Sequence, residues 1–388
     1  MPRFAVRGKN RLPDTEYRLP TTPLNFSHAS NCWFLTGPTA AGKSGVGLEL
    51  ARRLSGEIVS LDSMALYRGM DIGTAKPTAA ERAAVPHHLI DIVEPCQTFS
   101  LAQYVEAAEQ CAADILARGR VPIFVGGTPL YLKALLRGIF QGPPADWEFR
   151  NRVTLEAQER GAAWLHGKVS AVDPAAAERL HPQDTKRLVR VLEVYEKTGR
   201  PISALQRQFE QARPAGECRV FVLDWPRAEL YRRINARVEA MFSAGLVEEV
   251  RGLLARDANH ATDSCATGSA GAEGEDSGGR PSASRLPQAE TDDVDGTPSP
   301  RPSPGGRGGK IDALSHTARQ ALGYREAIEY LAGGRTLAET IELVQNRTRA
   351  FARRQLTWFR SLSECRWVSV TERDAATAIS DRIAAGAS

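Results

Sequence analysis

Eight consecutive residues, Gly37-Pro38-Thr39-Ala40-Ala41-Gly42-Lys43-Ser44, fit the spacing G-x-x-x-x-G-K-[ST] and sit between a short apolar run and a helix-forming stretch. A loop of this kind turns successive backbone N–H groups onto phosphate oxygens, and the following helix N-terminus adds positive potential. Lys43 supplies a cation and Ser44 a hydroxyl able to ligate Mg2+. The chemistry written here is diphosphate binding, which is less than nucleotide hydrolysis.

Enzymes that hydrolyse nucleotides on such a loop hold the metal with an acid at the end of a second apolar strand. Here the best such strand, Val121 to Val125, runs into Gly126-Gly127-Thr128 instead. The acid that does follow a strand is Asp62, in Leu61-Asp62-Ser63. At the carboxyl end of a strand beside the phosphate loop it would face substrate. A general base, a group ordering Mg2+ and a helix cap are all open to it.

These residues need a scaffold, and the pattern around them supplies one. Cys32 to Thr36, Glu57 to Leu61, Leu89 to Val93 and Val121 to Val125 read as short buried strands, with a helix from Lys43 to about Leu54 and another from Leu101 to Ala117 capped by Ser100. Strands alternating with helices predict an α/β fold, a parallel sheet flanked by helices on both faces. From about Gln141 to Gln211 strand runs give way to Ala, Leu, Glu and Arg, which reads as a helical insertion. A strand returns at Arg219 to Asp224, followed by an Arg-rich helix from about Ala228 to Phe242 and another to about Ala255. Residues 257–310 are dominated by Gly, Ser, Pro, Asp and Thr, a composition expected to stay disordered. Helical periodicity resumes from His316 to Leu331 and from Leu337 to Leu362, the last run carrying Arg347, Arg349, Arg353, Arg354 and Arg360.

The resulting organisation is a flexible leader (1–30), the first part of the core (31–140), the helical insertion (141–212), the second part of the core (213–256), the low-complexity segment (257–310) and a helical C-terminal part of the core (311–388). A chain of 388 residues can bury a sizeable core. A formal charge of +4 does not by itself argue for a nucleic-acid partner, since surface fields follow clustering rather than the sum. Six scattered cysteines without a C-x-x-C pair read as reduced thiols of a cytoplasmic protein. No apolar run nears the roughly 20 residues needed to span a bilayer, so no membrane partner is expected.

Three blocks together resemble the tRNA dimethylallyltransferase family. They are Gly37 to Ser44, the distinctive run Asp62-Ser63-Met64-Ala65-Leu66-Tyr67-Arg68-Gly69-Met70-Asp71-Ile72-Gly73-Thr74-Ala75-Lys76-Pro77, and Gly126-Gly127-Thr128-Pro129-Leu130-Tyr131. Further matches lie at His181 to Arg187, at Ala321 to Glu326 and at Arg349 to Arg360. Ala65 and Lys186 depart from the family, which often carries glutamine at both places, and Arg353 stands where lysine is common. The resemblance implies a P-loop NTPase-like core with a helical, tRNA-binding insertion domain. It also implies transfer of a dimethylallyl group from dimethylallyl diphosphate to N6 of the adenosine immediately 3′ of the anticodon, in tRNAs reading codons that begin with U.

By that resemblance Asp62 is the base, Thr39 meets the diphosphate end and Arg233 supplies a cation. The loop from Gly37 through Pro38, Thr39, Ala40, Ala41, Gly42 and Lys43 to Ser44 holds diphosphate, with Mg2+ on Ser44. Asp62, Ser63, Met64, Ala65 and Thr128 would line a channel for a flipped adenine, and Lys186, Arg187 and Arg190 would track phosphates of the anticodon stem-loop. A cytoplasmic monomer is expected. The competing readings are a small-metabolite kinase, a nucleotide-gated RNA-binding protein without chemistry, and a prenyltransferase acting on free adenine nucleotides.

Overall fold

The computed structural model describes residues 24–206, 212–214, 217–263 and 314–386. The chain enters through β1 (Trp33–Thr36), α1 (Lys43–Leu54), β2 (Gly56–Ser60), α2 (Ala79–Ala84), β3 (His87–His88), α3 (Leu101–Ala117), β4 (Val121–Val125) and α4 (Pro129–Arg137). Five helices follow: α5 (Trp147–Arg160), α6 (Ala162–Val172), α7 (Pro174–Arg179), α8 (Thr185–Thr198) and α9 (Ile202–Gln206). The remainder is β5 (Arg219–Asp224), α10 (Arg227–Ser243), α11 (Leu246–Asp263), α12 (His316–Arg319), α13 (Tyr324–Leu331), α14 (Leu337–Arg360), β6 (Cys365–Ser369) and α15 (Ala376–Ala385). Residues 140–206 form one compact unit and the other described residues form a second.

The second unit is built on a six-stranded, all-parallel sheet in the order β3-β2-β4-β1-β5-β6. Successive side chains of a strand point to opposite faces, so Phe34 enters one core with Phe124 and Val220 while Trp33 and Leu35 enter the other with Ile123 and Phe221. The first core is closed by α3, α4 and α13 through Tyr104, Leu132 and Ala327. The second is closed by α1, α10 and α15 through Leu50, Ile234 and Ile379. Burial on both faces explains why these strands read as continuous apolar runs rather than as alternating ones.

Local signals set the helix ends. Ser100 and Gln103 form a reciprocal capping box at the start of α3, as do Thr336 and Glu339 at the start of α14. The smaller unit packs Val153, Leu165, Val169, Leu188 and Val194 around a buried ion pair, in which Arg150 makes two bonds of 2.9 and 2.8 Å to Glu193.

Several expectations are corrected. The leader reading fails for residues 24–30, because Phe26 and Ala29 are fully buried and Phe26 packs edge-on to Phe124 at 5.5 Å; residues 1–23 lie outside the described residues. Leu89 to Val93 is not a strand, since Leu89 and Asp91 adopt φ of 57° and 58° and the pairing is made by His87–His88 instead. The single helix expected from His316 to Leu331 is split at Gly323, whose φ of 91° no helix accommodates. Helix α11 runs on to Asp263, past the expected break at 257, and the rest of the low-complexity segment up to 310 lies outside the described residues. The C-terminal part is not wholly helical, because Cys365–Ser369 adds a sheet-edge strand beside β5.

Candidate active site

Register brings three loops to one edge of the sheet. Leu35 of β1 lies beside Val125 of β4, which in turn lies beside Ser60 of β2, so the segments after Thr36, Ser60 and Val125 leave the sheet side by side. Hydrogen bonds continue the alignment: Gly126 N donates to Leu35 O at 3.2 Å, Leu61 N to Val125 O at 2.9 Å and Thr128 N to Leu61 O at 3.1 Å. Residue 126 must be glycine, because a Cβ there would lie 2.1 Å from the Leu61 carbonyl oxygen. In open parallel sheets this edge, where the chain order reverses, is where ligands bind.

The phosphate loop has the geometry its spacing predicts. Gly37, Ala40 and Gly42 take φ of 145°, 63° and 84°, and a side chain on Gly37 would press 3.0 Å from the Leu223 carbonyl oxygen. Ala41 N donates back to Pro38 O at 3.2 Å and Lys43 Nζ to the same oxygen at 2.8 Å. The far side of the loop is held by α10 and the turn before it. Trp225 Nε1 donates to Ala41 O and Arg233 Nε to Ala40 O, both at 2.9 Å, with the Arg233 guanidinium 4.3 Å above the Trp225 ring.

Three cations gather here. Burial pushes the Lys43 ammonium down to about 8, with Arg237 adding to the fall and Asp62 opposing it. The Arg237 guanidinium is likewise lowered, first by burial, with Asp62 again opposing. Arg233 is lowered by burial and by Arg232, with Glu229 opposing. Cations held out of water beside a phosphate-type loop suit a multiply charged anion.

Asp62 stands across the same space. One of its oxygens, Oδ1, accepts from Met64 N at 2.8 Å in a local turn, which is part of what the cap reading expected. The loop it begins is pinned to its neighbour, since Ser63 N donates to the Thr128 hydroxyl at 3.0 Å. Its far end is anchored by Lys76, whose buried ammonium is held by the carboxylates of Asp71 and Asp91 and by the Tyr67 carbonyl.

A cavity of about 960 Å³ joins the two ends: Thr39 to Ser44 line one part, while Asp62 to Ala65 and Thr128 line another. Gly37 and Pro38 are not among the residues that line it. The arginines of α14 are largely engaged within the protein. Arg347 pairs with buried Glu326, Arg349 with Asn235, and Arg353 with the Tyr231 hydroxyl at 3.0 Å, while Arg354 lines the cavity.

In the smaller unit, Lys186 and Arg187 are exposed on the first turn of α8. Arg190, one turn on, faces inward and joins Arg150 on the carboxylate of Glu193.

Two residues of the site escape sequence reasoning. Arg237 reads only as part of a crowded, Arg-rich helix, yet it lines the cavity beside Arg233. Gln355 lies unmarked inside the run from Arg349 to Arg360. Its Oε1 accepts from Thr39 N at 2.9 Å and its Nε2 donates to Gly127 O at 2.6 Å. No local signal marks either role. A polar residue at a helical position otherwise given to burial, in register with Ala352 and Phe359, is the one available hint.

The ligand chemistry open to a metal here is narrow. Among the described residues no group of three His, Cys, Asp or Glu converges as a metal cage. Beside the phosphate loop the cavity offers the Ser44 hydroxyl, an oxygen donor that suits Mg2+ completed by oxygens of a bound diphosphate. Among the described residues no helix is long and apolar enough to cross a membrane, and no disulfide joins Cys32, Cys96, Cys111, Cys218 or Cys365.

A phosphate-binding loop on a P-loop NTPase-like parallel sheet, sharing one cavity with an acid-bearing loop, defines a P-loop protein shaped for a phosphorylated substrate and a second, reacting group. The chain belongs to the IPP transferase family, whose model matches residues 65–272 and 307–362. It is 41% identical over 350 residues to the tRNA dimethylallyltransferase of Rhodopirellula baltica, covering 88% of this chain and 89% of that one. With the tRNA dimethylallyltransferase of Pelotomaculum thermopropionicum it shares 40% identity over 351 residues, 90% and 94% of the two chains. Among solved structures, the tRNA isopentenylpyrophosphate transferase of Bacillus halodurans aligns with a TM-score of 0.57 at 33% identity, covering 92% of this chain and 96% of that chain. A eukaryotic dimethylallyltransferase acting on tRNA aligns with a TM-score of 0.63 over 88% of this chain and 74% of its own, and at 22% identity that likeness is one of fold.

Proposed function

We propose that this protein transfers a dimethylallyl group from dimethylallyl diphosphate to an adenine of tRNA, at N6 of the adenosine immediately 3′ of the anticodon, in tRNAs reading codons that begin with U. The observation that carries the reading is the shared cavity: phosphate loop and Asp62 face one space large enough for a prenyl diphosphate and a base. Family membership supplies the reaction class.

In this reading the diphosphate lies along the amides of Gly37 to Ser44, with Lys43 and Arg233 beside it and Thr39 at its end. Ser44 would hold Mg2+, which when bound neutralises charge on the departing diphosphate. The adenine enters flipped from its stack, between Asp62, Ser63, Met64, Ala65 and Thr128. As the allylic carbon–oxygen bond breaks and the carbon–nitrogen bond forms, Asp62 takes the N6 proton and diphosphate leaves. The exocyclic amine is a poor nucleophile because its lone pair is delocalised into the purine, so a placed base is worth on the order of 10²–10⁴-fold. Asp62 suits the task because its turn uses Oδ1 and keeps the carboxylate at the cavity wall. Lys186 and Arg187 are placed to meet RNA phosphates, and the working compartment is the cytoplasm.

The test is incubation of the protein with labelled dimethylallyl diphosphate and either unmodified tRNA or AMP, followed by location of the label. Label on the tRNA adenine supports the reading. Label on AMP, or consumption of ATP without RNA, would replace it with nucleotide prenylation or a kinase.

A further inference from the structure

Gln355 is 4% exposed and sits in the C-terminal part of α14, and both its amide atoms are spent on the loops that follow β1 and β4. Its oxygen takes the N–H of Thr39 in the phosphate loop, and its nitrogen gives to the carbonyl of Gly127. Gly127 precedes Thr128, whose hydroxyl accepts from Ser63 N, and Ser63 follows Asp62. A side chain on residue 127 would lie 2.7 Å from Gln355 Nε2, so the glycine is what lets the amide approach. A continuous path of short hydrogen bonds therefore runs from a phosphate-loop amide, through one side chain, to the segment carrying the acid.

Resting on the function proposed above, we propose that Gln355 is a positioning residue that couples the donor end of the cavity to the acceptor end. Thr39 lies in the loop a diphosphate would order, and its N–H is held by Gln355. Any shift it makes is passed by a primary amide, whose donor nitrogen and acceptor oxygen are held rigidly together, to the Gly127 carbonyl. The loop holding Thr128 and Ser63 follows, and Asp62 moves with it. Glutamate at this place would keep the acceptor and lose the donor, and it would set a negative charge against the diphosphate. Leucine would lose both ends of the link.

Coupling between two sites is reciprocal and measurable: RNA must tighten donor binding by the factor by which donor tightens RNA binding, commonly about 5–150-fold. The measurement is the affinity of the full chain for the unreactive dimethylallyl thiodiphosphate, with and without an unmodified anticodon stem-loop, for wild type, Gln355→Leu and Gln355→Glu. Wild type should bind the analogue several-fold more tightly when RNA is present. Gln355→Leu should bring that factor close to one and slow single-turnover transfer about tenfold or more. Gln355→Glu should also weaken the analogue in the absence of RNA. Amide hydrogen exchange of the wild-type protein gives a readout that needs no variant: analogue alone should protect residues 126–128 together with the phosphate loop. A wild type that transfers label to RNA without coupling, a Gln355→Leu variant that keeps the coupling, or protection confined to the phosphate loop would each overturn the inference. Failure of the function itself is distinct, since wild type would then modify no RNA.

Discussion

The ring of Tyr324 occupies the space that a side chain on Gly73 would need: a Cβ there would lie 2.2 Å from Tyr324 Cε2. The tyrosine hydroxyl donates to Glu249, and the other Glu249 oxygen accepts from Asp71 N at 3.0 Å and Ile72 N at 2.8 Å. Helices α11 and α13 thus grip the loop that begins at Asp62 from behind. The same grip pushes the Tyr324 phenol well above its ordinary range, burial first and the Glu249 bond second.

Gly73→Ala should therefore overpack a buried contact and destabilise the fold by about 1–3 kcal/mol. Tyr324→Phe, which keeps the ring and removes the hydroxyl with its bonds to Glu249 and the Gly73 backbone, should cost about 1–3 kcal/mol. Chemical denaturation of both variants checks the pair. Equal midpoints for Gly73→Ala and wild type would mean the loop can step away from the ring, and the grip described above would be loose.

Asp62 can be separated from its structural turn by Asp62→Asn. Asparagine keeps an acceptor for Met64 N and loses the basic carboxylate. The expected single-turnover loss is on the order of 10²–10⁴-fold, with binding of donor analogue and stem-loop nearly unchanged, because a base acts mainly in the transition state. Retention of more than roughly a tenth of the rate would leave the general-base role without support.

What the sequence disclosed and what it hid follow from the range of the interactions. The phosphate loop, α1 and the Ser100 cap of α3 are set by residues within a turn of one another, and spacing displays them. Strand β6 hides because Cys365, Arg366, Trp367, Val368 and Ser369 lie at a sheet edge with one neighbour, so no continuous apolar run forms. Leu89 to Val93 misleads in the opposite sense: the run is apolar, but Asp91 is drawn to Lys76 and Arg82, and the backbone turns left-handed to reach them. The link from Thr39 to Gln355 crosses most of the chain, and no periodicity encodes a partner at that distance.

Lys43 gives a pH signature. Its ammonium sits at about 8 in the folded protein, because burial and Arg237 disfavour the charge, against an ordinary value of 10.5. Between those values the unfolded chain binds the proton and the folded one does not. Stability therefore rises with pH across that window, and below about 8 the charged, buried lysine opposes folding in full. Donor affinity should run the other way, falling as pH climbs through about 8 and the cation is lost. Lys43→Met should flatten both dependences. Titration of donor-analogue affinity and of the denaturation midpoint between about pH 7 and 10.5 reads both, and an unchanged pair of slopes in the variant would assign the titration to another group.

The basic residues at the start of α8 divide into two kinds. Lys186 and Arg187 face solvent, Arg187 tied only loosely to Asp184 at 3.5 Å with 66% of its side chain exposed. Arg190 is turned to Glu193, a fully buried carboxylate that also holds Arg150 and the amide of Asp146. A charge already engaged inside the protein releases no counterion on meeting RNA, whereas a free one does, so the two kinds differ in salt dependence. Lys186→Ala with Arg187→Ala should weaken stem-loop binding and flatten the plot of log affinity against log salt by about 0.7–0.9 for each phosphate left without its cation. Arg190→Ala should leave that slope near its wild-type value. It should instead lower the stability of the helical unit by about 1–3 kcal/mol, since a buried carboxylate is deprived of a charged partner. Filter binding over a salt series and thermal melting of the same samples separate the two effects. A slope that responds to Arg190→Ala but not to the Lys186 and Arg187 changes would place the RNA backbone against the inward face of α8 and reverse the assignment.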